Sequence, residues 1–261
     1  ICNESVVEQV VRQGPELVQQ LLKWNTEFDL IDNQIATTLE GGHSYPRVAH
    51  AHGDETGRII AEALIKKVRQ NSNIRILEKF FAIDLLTNDQ NKCIGMVGCD
   101  NNRSPQIIWA ANTILASGGA GRLYRETTNP EVATGDGIAM AYRAGAVLQD
   151  LEFVQFHPTT LYIAGATRAL ITEALRGEGA VLLDNKGQRF MKDFDEAAEL
   201  APRDVVSRAI ITQMRKTETT HVYLDVRHID KAYFAKRFPH INELLESFDI
   251  DIAHDLIPVR P

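Results

Sequence analysis

The chain has 261 residues, 44% of them hydrophobic and 24% charged, as expected of a folded globular protein with one large or two smaller domains. Its net charge of −7 argues against nucleic acid or an anionic membrane as partner, since both need a basic face, but leaves room for a small anion held by a few local arginines. No apolar run approaches the ~20 residues of a membrane-spanning helix, no signal-peptide pattern opens the chain, and the three cysteines, Cys2, Cys93 and Cys99, form no C-x-x-C pair, so a reducing cytoplasm is the expected setting.

Apolar residues at Val6, Val7, Val10 and Val11, then Leu17, Val18, Leu21 and Leu22, have helical spacing, and Gly14-Pro15 is expected to split them into two helices. Asp54 is the expected N-cap of a second strong helix through Ile59, Ile60, Ala63, Leu64 and Val68. Ile74–Leu77, Ala82–Leu86 and Cys93–Cys99 read as a meander of strands between Asn, Asp and Gly clusters. The segment 112–116 reads as a short buried strand entering the Ser117-Gly118-Gly119 turn. Gly135–Gly145 reads as a helix whose N-terminal amides face an acceptor and whose end is marked by Gly145. Beyond about residue 151 come a hairpin at 182–190, a helix from Pro202 to about Met214, a strand at Val222–Asp225 and a helix near 238–247.

Chemistry-bearing side chains concentrate at 152–179. His157, between Phe156 and Pro158, is placed for partial desolvation and a tuned proton affinity; a purely structural hydrogen bond is the alternative. Glu173 and Arg176, three apart, share a face if helical and either relay protons or simply pair. Thr172 either binds a carboxylate or caps a turn. Arg203, between Pro202 and Asp204, is either a surface ion-pair partner, a clamp for a substrate carboxylate, or an acid toward a developing carbanion; the last role is demanding for so weak an acid. The glycine turn Glu40-Gly41-Gly42-His43-Ser44 is either a plain tight turn or a backbone passing close to a cofactor, with Glu40 meeting a cation such as a substrate ammonium.

Taken together, Glu40–Ser44, Ile114–Gly119, Thr128-Asn129-Pro130 with Thr134–Gly137, Glu152–Thr159, Thr172–Gly179 and Pro202-Arg203-Asp204 resemble the succinate dehydrogenase and fumarate reductase flavoprotein family, in order and over essentially the whole chain. Glu40 stands where dehydrogenase and reductase subunits of that family commonly carry an aromatic residue. This is the pattern of the branch that oxidises L-aspartate, and Ala174-Leu175 and Asp193–Glu196 agree with it.

The resemblance implies FAD-dependent oxidation of L-aspartate to iminoaspartate, with O2 or fumarate as acceptor, as the first step toward quinolinate and NAD. Quinolinate synthase is the implied pathway partner. By the same resemblance, Arg203 is the central catalytic arginine, with His157, Glu173 and Arg176 beside it. Glu40, Thr172, His157 and Arg203 bind substrate, and Gly41, Gly42, His43, Ser44, Phe81, Ala82, Ser117, Gly118, Gly119 and Asp136 contact FAD.

The implied fold is α/β with an α+β capping domain attached: a partial FAD-binding Rossmann-like domain at 1–150 lacking its N-terminal βαβ unit, a capping domain at 151–253, and a return toward the FAD-binding domain at 254–261. The family's G-x-G-x-x-G turn has no counterpart in these residues. The chain is therefore expected to be an internal fragment, inactive alone and a poor holder of FAD by itself. Two other readings stand beside this one, a fumarate reductase or succinate dehydrogenase subunit and a noncatalytic folded module.

Overall fold

The computed structural model describes residues 2–163 and 168–261. It divides into two compact units, one formed by residues 1–74 with 156–261 and the other by 75–155. Four residues of the chemistry-rich stretch, 164–167, lie outside the described residues.

The first unit opens with α1 (Glu4–Lys23), started by Asn3, whose side chain accepts from the Val6 amide. The helix is continuous, so the expected break at Gly14-Pro15 is absent and Pro15 sits inside it. Proline removes one backbone donor and crowds the preceding turn, but none of α1 is buried, so water can satisfy the carbonyl left without its helical partner. A hairpin follows, β1 (Leu30–Ile31) and β2 (Gln34–Ile35). Asp32 and Asn33, both at positive φ, make the turn between them. Strands β3 (Thr37–Thr38) and β4 (Val48–Ala49) pair antiparallel and close the loop that carries Glu40–Ser44.

Helix α2 (Thr56–Arg69) has Glu55 at its N-cap position and no side-chain cap. Asp54, expected to cap it, instead accepts from the amides of His240 (3.2 Å) and Ile241 (3.1 Å). The first-turn amides of a helix lack intrahelical acceptors, and here a carboxylate 186 residues away in sequence supplies one.

In the second unit, β5 (Phe81–Thr87), β6 (Cys93–Cys99) and β7 (Pro105–Trp109) form the antiparallel meander. Ile74–Leu77 does not join it. Its alternation meets the strand period, but Ile74, Ile76 and Leu77 are exposed with no paired neighbour among the described residues. The strand expected at 112–116 is also absent, with Ile114 90% exposed. An apolar run signals burial only where another strand stands alongside to bond its backbone, and none does among the described residues. Helix α3 (Asp136–Arg143) forms as expected, with Gly145 beyond its end at φ +86°. A β-bulge in β5 lies between Ala82 and Asp84. There Arg143 donates to the Asp84 carboxylate (2.8 Å) and the Ile83 carbonyl (3.0 Å), fixing α3 to β5.

The first unit resumes with β8 (Thr160–Leu161), α4 (Ala174–Gly177), β9 (Val181–Leu183), α5 (Arg203–Thr217), β10 (Val222–Asp225), α6 (Lys231–Arg237), α7 (Pro239–Glu246) and β11 (Ile257–Arg260). The four strands form one antiparallel sheet in the order β8-β11-β10-β9. The hairpin turn at 184–187 uses Gly187 at φ +74° and the Asp184 carboxylate, which accepts from the Lys186 and Gln188 amides. Val206, Ala209, Ile210 and Met214 line the buried face of α5 at helical spacing. They join the sheet, α6 and α7 in the main core.

Asp54→Ala is predicted to lower stability by about 1 kcal/mol, the usual weight of an N-cap, whereas Asp54→Asn retains most of it. Urea unfolding midpoints at constant m-value check this; an unchanged midpoint for the alanine variant contradicts the capping role.

Candidate active site

Within the first unit, α5 begins at Arg203 and α4 is preceded by Glu173, and the two side chains meet. Nε and Nη2 of Arg203 donate to Oε2 (2.8 Å) and Oε1 (2.7 Å) of Glu173, a two-pronged carboxylate–guanidinium contact. Arg176, 2% exposed, adds Nη2 to the same Oε2 at 3.2 Å and places Nη1 on the Glu199 carbonyl at 2.6 Å. Burial pushes the Glu173 carboxyl up. Its hydrogen bonds to Arg203 and the charges of Arg203 and Arg176 outweigh this, leaving it below the usual carboxylate range.

Glu199 and Arg189, which the sequence reading did not single out, support Arg176. The buried Glu199 carboxylate takes the Arg189 fork and the Leu182 amide, fixing the residue whose carbonyl holds Arg176. Glu199 sits in a run of charged and alanine residues, Asp195–Leu200, that looks like a solvated turn, and no spacing distinguishes it.

His157 is 9% exposed. The Thr159 amide donates to its Nδ1 at 3.3 Å, so the proton of the neutral ring lies on Nε2, and that buried nitrogen has no hydrogen-bond partner among the described residues. Burial first, then the charges of Arg203 and Arg176, push the imidazole down to about 4. The segment is held by Thr159 Oγ1 on the Ile171 carbonyl (2.8 Å) and by Ser207 Oγ of α5 on the Phe156 carbonyl (3.2 Å). Thr172 uses its hydroxyl to accept from the Ala174 amide at 3.3 Å, the capping alternative.

The Glu40 loop packs on the same cluster. A Cβ at Gly41 would stand 3.3 Å from Nη1 of Arg176, and one at Gly177 would overlap the Leu39 carbonyl and lie 3.6 Å from the Glu40 Cα. Glycine at both positions thus permits the approach. Gly42, at φ +78°, donates to the Leu200 carbonyl at 2.9 Å. Half-buried Glu40 is raised above the usual carboxylate range by burial and then by Glu173, opposed by Arg237, His43 and Arg203. Glu40, His157, Glu173, Arg176 and Arg203 therefore share one electrostatic environment. His43 and Ser44 are exposed on the same loop.

The remaining candidates lie in the second unit. Ser117, Gly118, Gly119 and Asp136 come together there: the Gly135 amide donates to the Gly119 carbonyl (3.2 Å), and the Ser117 hydroxyl occupies the space a Cβ on Gly137 would take. Asp136 accepts from Thr134 Oγ1 at 2.6 Å, and α3 starts from Gly135 at φ +79° without a side-chain cap. Phe81 and Ala82 are on β5, which α3 contacts. A Cβ at Gly118 or Gly119 meets nothing, so this exposed glycine backbone has room for a large group to lie against it. The donor set and open glycine turns suit a flavin nucleotide.

The FAD binding domain family profile matches residues 1–261. The chain belongs to the FAD binding domain family. It is 43% identical to an L-aspartate oxidase of Nostoc sp. and 44% identical to one of Acinetobacter baylyi, each match covering all of this chain but 46% and 49% of the relative. Among solved structures it resembles a quinol fumarate reductase of E. coli, with a TM-score of 0.91 and 32% identity over 99% of this chain and 47% of that one. The chain spans about half the length of the curated relatives it matches. No helix among the described residues is long and apolar enough to cross a membrane.

A histidine in the unfolded chain titrates near 6.5. As pH falls from about 6.5 to about 4 the unfolded state takes up this proton and the folded state does not, so His157 is predicted to contribute roughly 3 kcal/mol of lost stability across that window. Ring 15N shifts are expected to show a neutral, Nε2-protonated imidazole throughout pH 5–8. An imidazolium at pH 6 contradicts the assignment.

Proposed function

We propose that this chain is part of an FAD-dependent L-aspartate oxidase, converting L-aspartate to iminoaspartate with O2 or fumarate as final acceptor. The observation that carries the reading is the packing of Glu40, a second acid, against a cluster in which Arg203 and Arg176 are shared with Glu173 beside a neutral buried histidine. That is the charge pattern an amino dicarboxylate needs. Relatives at 43% and 44% identity named L-aspartate oxidase, against 32% for the fumarate reductase, favour this over the reductase reading.

In this proposal, Arg203 and the Nε2 proton of His157 hold substrate carboxylate oxygens, and Thr172 adds a hydroxyl. Glu40 accepts hydrogen bonds from the substrate ammonium. Glu173, which accepts from both guanidiniums, keeps Arg203 oriented, and Glu173 and Arg176 line the proposed proton route. Arg203 stays charged, held above its ordinary value by the hydrogen bond to Glu173. A clamp of this kind is strong only when water is excluded, because the same charge pair gains several-fold as the local dielectric falls.

FAD, when bound, supplies the electron-pair acceptor. Gly41, Gly42, His43 and Ser44, and in the other unit Phe81, Ala82, Ser117, Gly118, Gly119 and Asp136, are the proposed contacts to it. Residues 1–150 are assigned to the flavin-binding part and 151–253 to the capping part. Residues 254–261, which include β11 of the four-stranded sheet, lead back toward the flavin-binding part. The proposed setting is the cytoplasm, with quinolinate synthase drawing on the product.

In the full-length, flavin-loaded protein, Glu40→Gln is predicted to raise the KM for L-aspartate by on the order of 10- to 100-fold, the loss of one charge-assisted contact. The inhibition constant of succinate should change by less than about threefold. Equal losses for both ligands remove Glu40 as the ammonium reader.

A further inference from the structure

Arg237, at the end of α6, is a buried cation that the proposed reaction does not use. It is 9% exposed, and its Nε has no hydrogen-bond partner among the described residues. Nη1 donates to the Gly53 carbonyl at 3.0 Å, Nη2 to Oγ1 of Thr38 at 3.5 Å, and Oε1 of Glu178 stands 3.8 Å from Nε. The guanidinium also lies over the Phe238 ring. A buried guanidinium is costly unless its charge is matched, and Glu178 is neither close enough nor buried enough for a tight pair.

Two of these contacts bracket Glu40. Thr38 is two residues before it on β3, and Glu178 follows Gly177, against which Leu39 and Glu40 pack. The third contact is itself held in place. Asp29 accepts from His50 Nδ1 (2.6 Å) and from the amides of His52 (3.0 Å) and Gly53 (2.9 Å), which fixes the turn whose Gly53 carbonyl meets Arg237. A Cβ on Gly53 would collide with the Arg237 carbonyl, so the turn and the end of α6 are in close contact.

We propose that Arg237 is the positioning residue for Glu40: its buried guanidinium, on the Gly53 carbonyl and the Thr38 hydroxyl, pins the end of β3 from which the Glu40 loop departs and sets a positive charge behind that loop. The inference rests on the reading of Glu40 as the ammonium reader. The charged and titratable groups facing Glu40 are Glu173, Arg176, Arg203, His43 and Arg237. Glu173 and burial favour the neutral acid, and Arg237 leads the groups that oppose them. Arg176 and Arg203 are shared between Glu40 and Glu173, and Arg237 is the cation that bears on Glu40 from the Thr38 side. Amino selectivity then depends on a residue that touches no substrate.

The test uses pH profiles of the full-length, flavin-loaded protein: kcat/KM for L-aspartate beside the inhibition constant of succinate. Removing the cation in Arg237→Gln should move the acid limb for L-aspartate up by about one pH unit, while the succinate curve keeps its place. Arg237→Lys, which retains the charge, should restore the limb. Glu178→Gln, which leaves Arg237 less neutralised, should move it the opposite way, and this partly exposed position carries the test if Arg237→Gln does not fold. If neither Arg237→Gln nor Glu178→Gln moves the aspartate limb, or succinate moves with it, while Glu40→Gln still discriminates, the role of Arg237 is overturned alone. If Glu40→Gln fails to discriminate, the Glu40 reading falls and this inference falls with it.

Discussion

A carboxylate shared by two guanidiniums organises the candidate site. Glu173 takes both prongs of Arg203 and one of Arg176, in surroundings where either charge alone would be expensive. Three segments must arrive together for this to exist: the turn before α4, the start of α5 and the loop around Glu199. Each arrives by backbone contacts of its own. The Glu199 carbonyl holds Arg176, the Gly42 amide reaches the Leu200 carbonyl, and glycines at 41 and 177 let the Glu40 loop come close. The net charge of the cluster stays near balance, with Glu40 and Glu173 against Arg176 and Arg203. It therefore tolerates burial while leaving the His157 Nε2 proton available for an anion.

Distant acids do much of the positioning. Asp54 caps α7, Asp29 ties the 50–53 turn, and Glu199 holds Arg189 and the Leu182 amide. Each satisfies backbone donors that would otherwise lie unpaired in or near the core. Asp29 fixes the turn whose Gly53 carbonyl meets Arg237, and Arg237 reaches Thr38 at the end of β3, two residues before Glu40. Substrate selectivity in the proposed enzyme is thus connected to hydrogen bonds many residues away.

The sequence made the residue types of the site legible but not the links among them. Apolar spacing located α2, bounding glycines marked α3, and the Asp184–Gly187 turn announced its hairpin. His157, Glu173 and Arg176 stood out because they crowd one Gly- and Pro-punctuated stretch, and Arg203 because it sits in a Pro-led turn after it. Which of the open alternatives held depended on contacts that spacing does not encode. The Thr172 hydroxyl accepts from the Ala174 amide, which leaves its proton free to donate, and Glu173 pairs with Arg203 30 residues away as well as with Arg176. Asp54 was read as a local cap because capping rules are local, yet its acceptor went to α7. Ile74–Leu77 and 112–116 have strand-like composition, but a strand also needs a neighbour, and composition carries no information about one. Arg237 and Glu199 gave no signal because a buried charge looks like a surface charge until the chain folds.

The ionisation of Glu173 tests the central arrangement most directly. With the side-chain carboxyl labelled, its 13C titration is expected to place the group below the ordinary glutamate range. In Arg203→Met the same titration should rise above that range, since burial then acts without its principal counter-charge. A Glu173 that titrates at the ordinary value in the parent protein, or that does not move when Arg203 is replaced, contradicts the account.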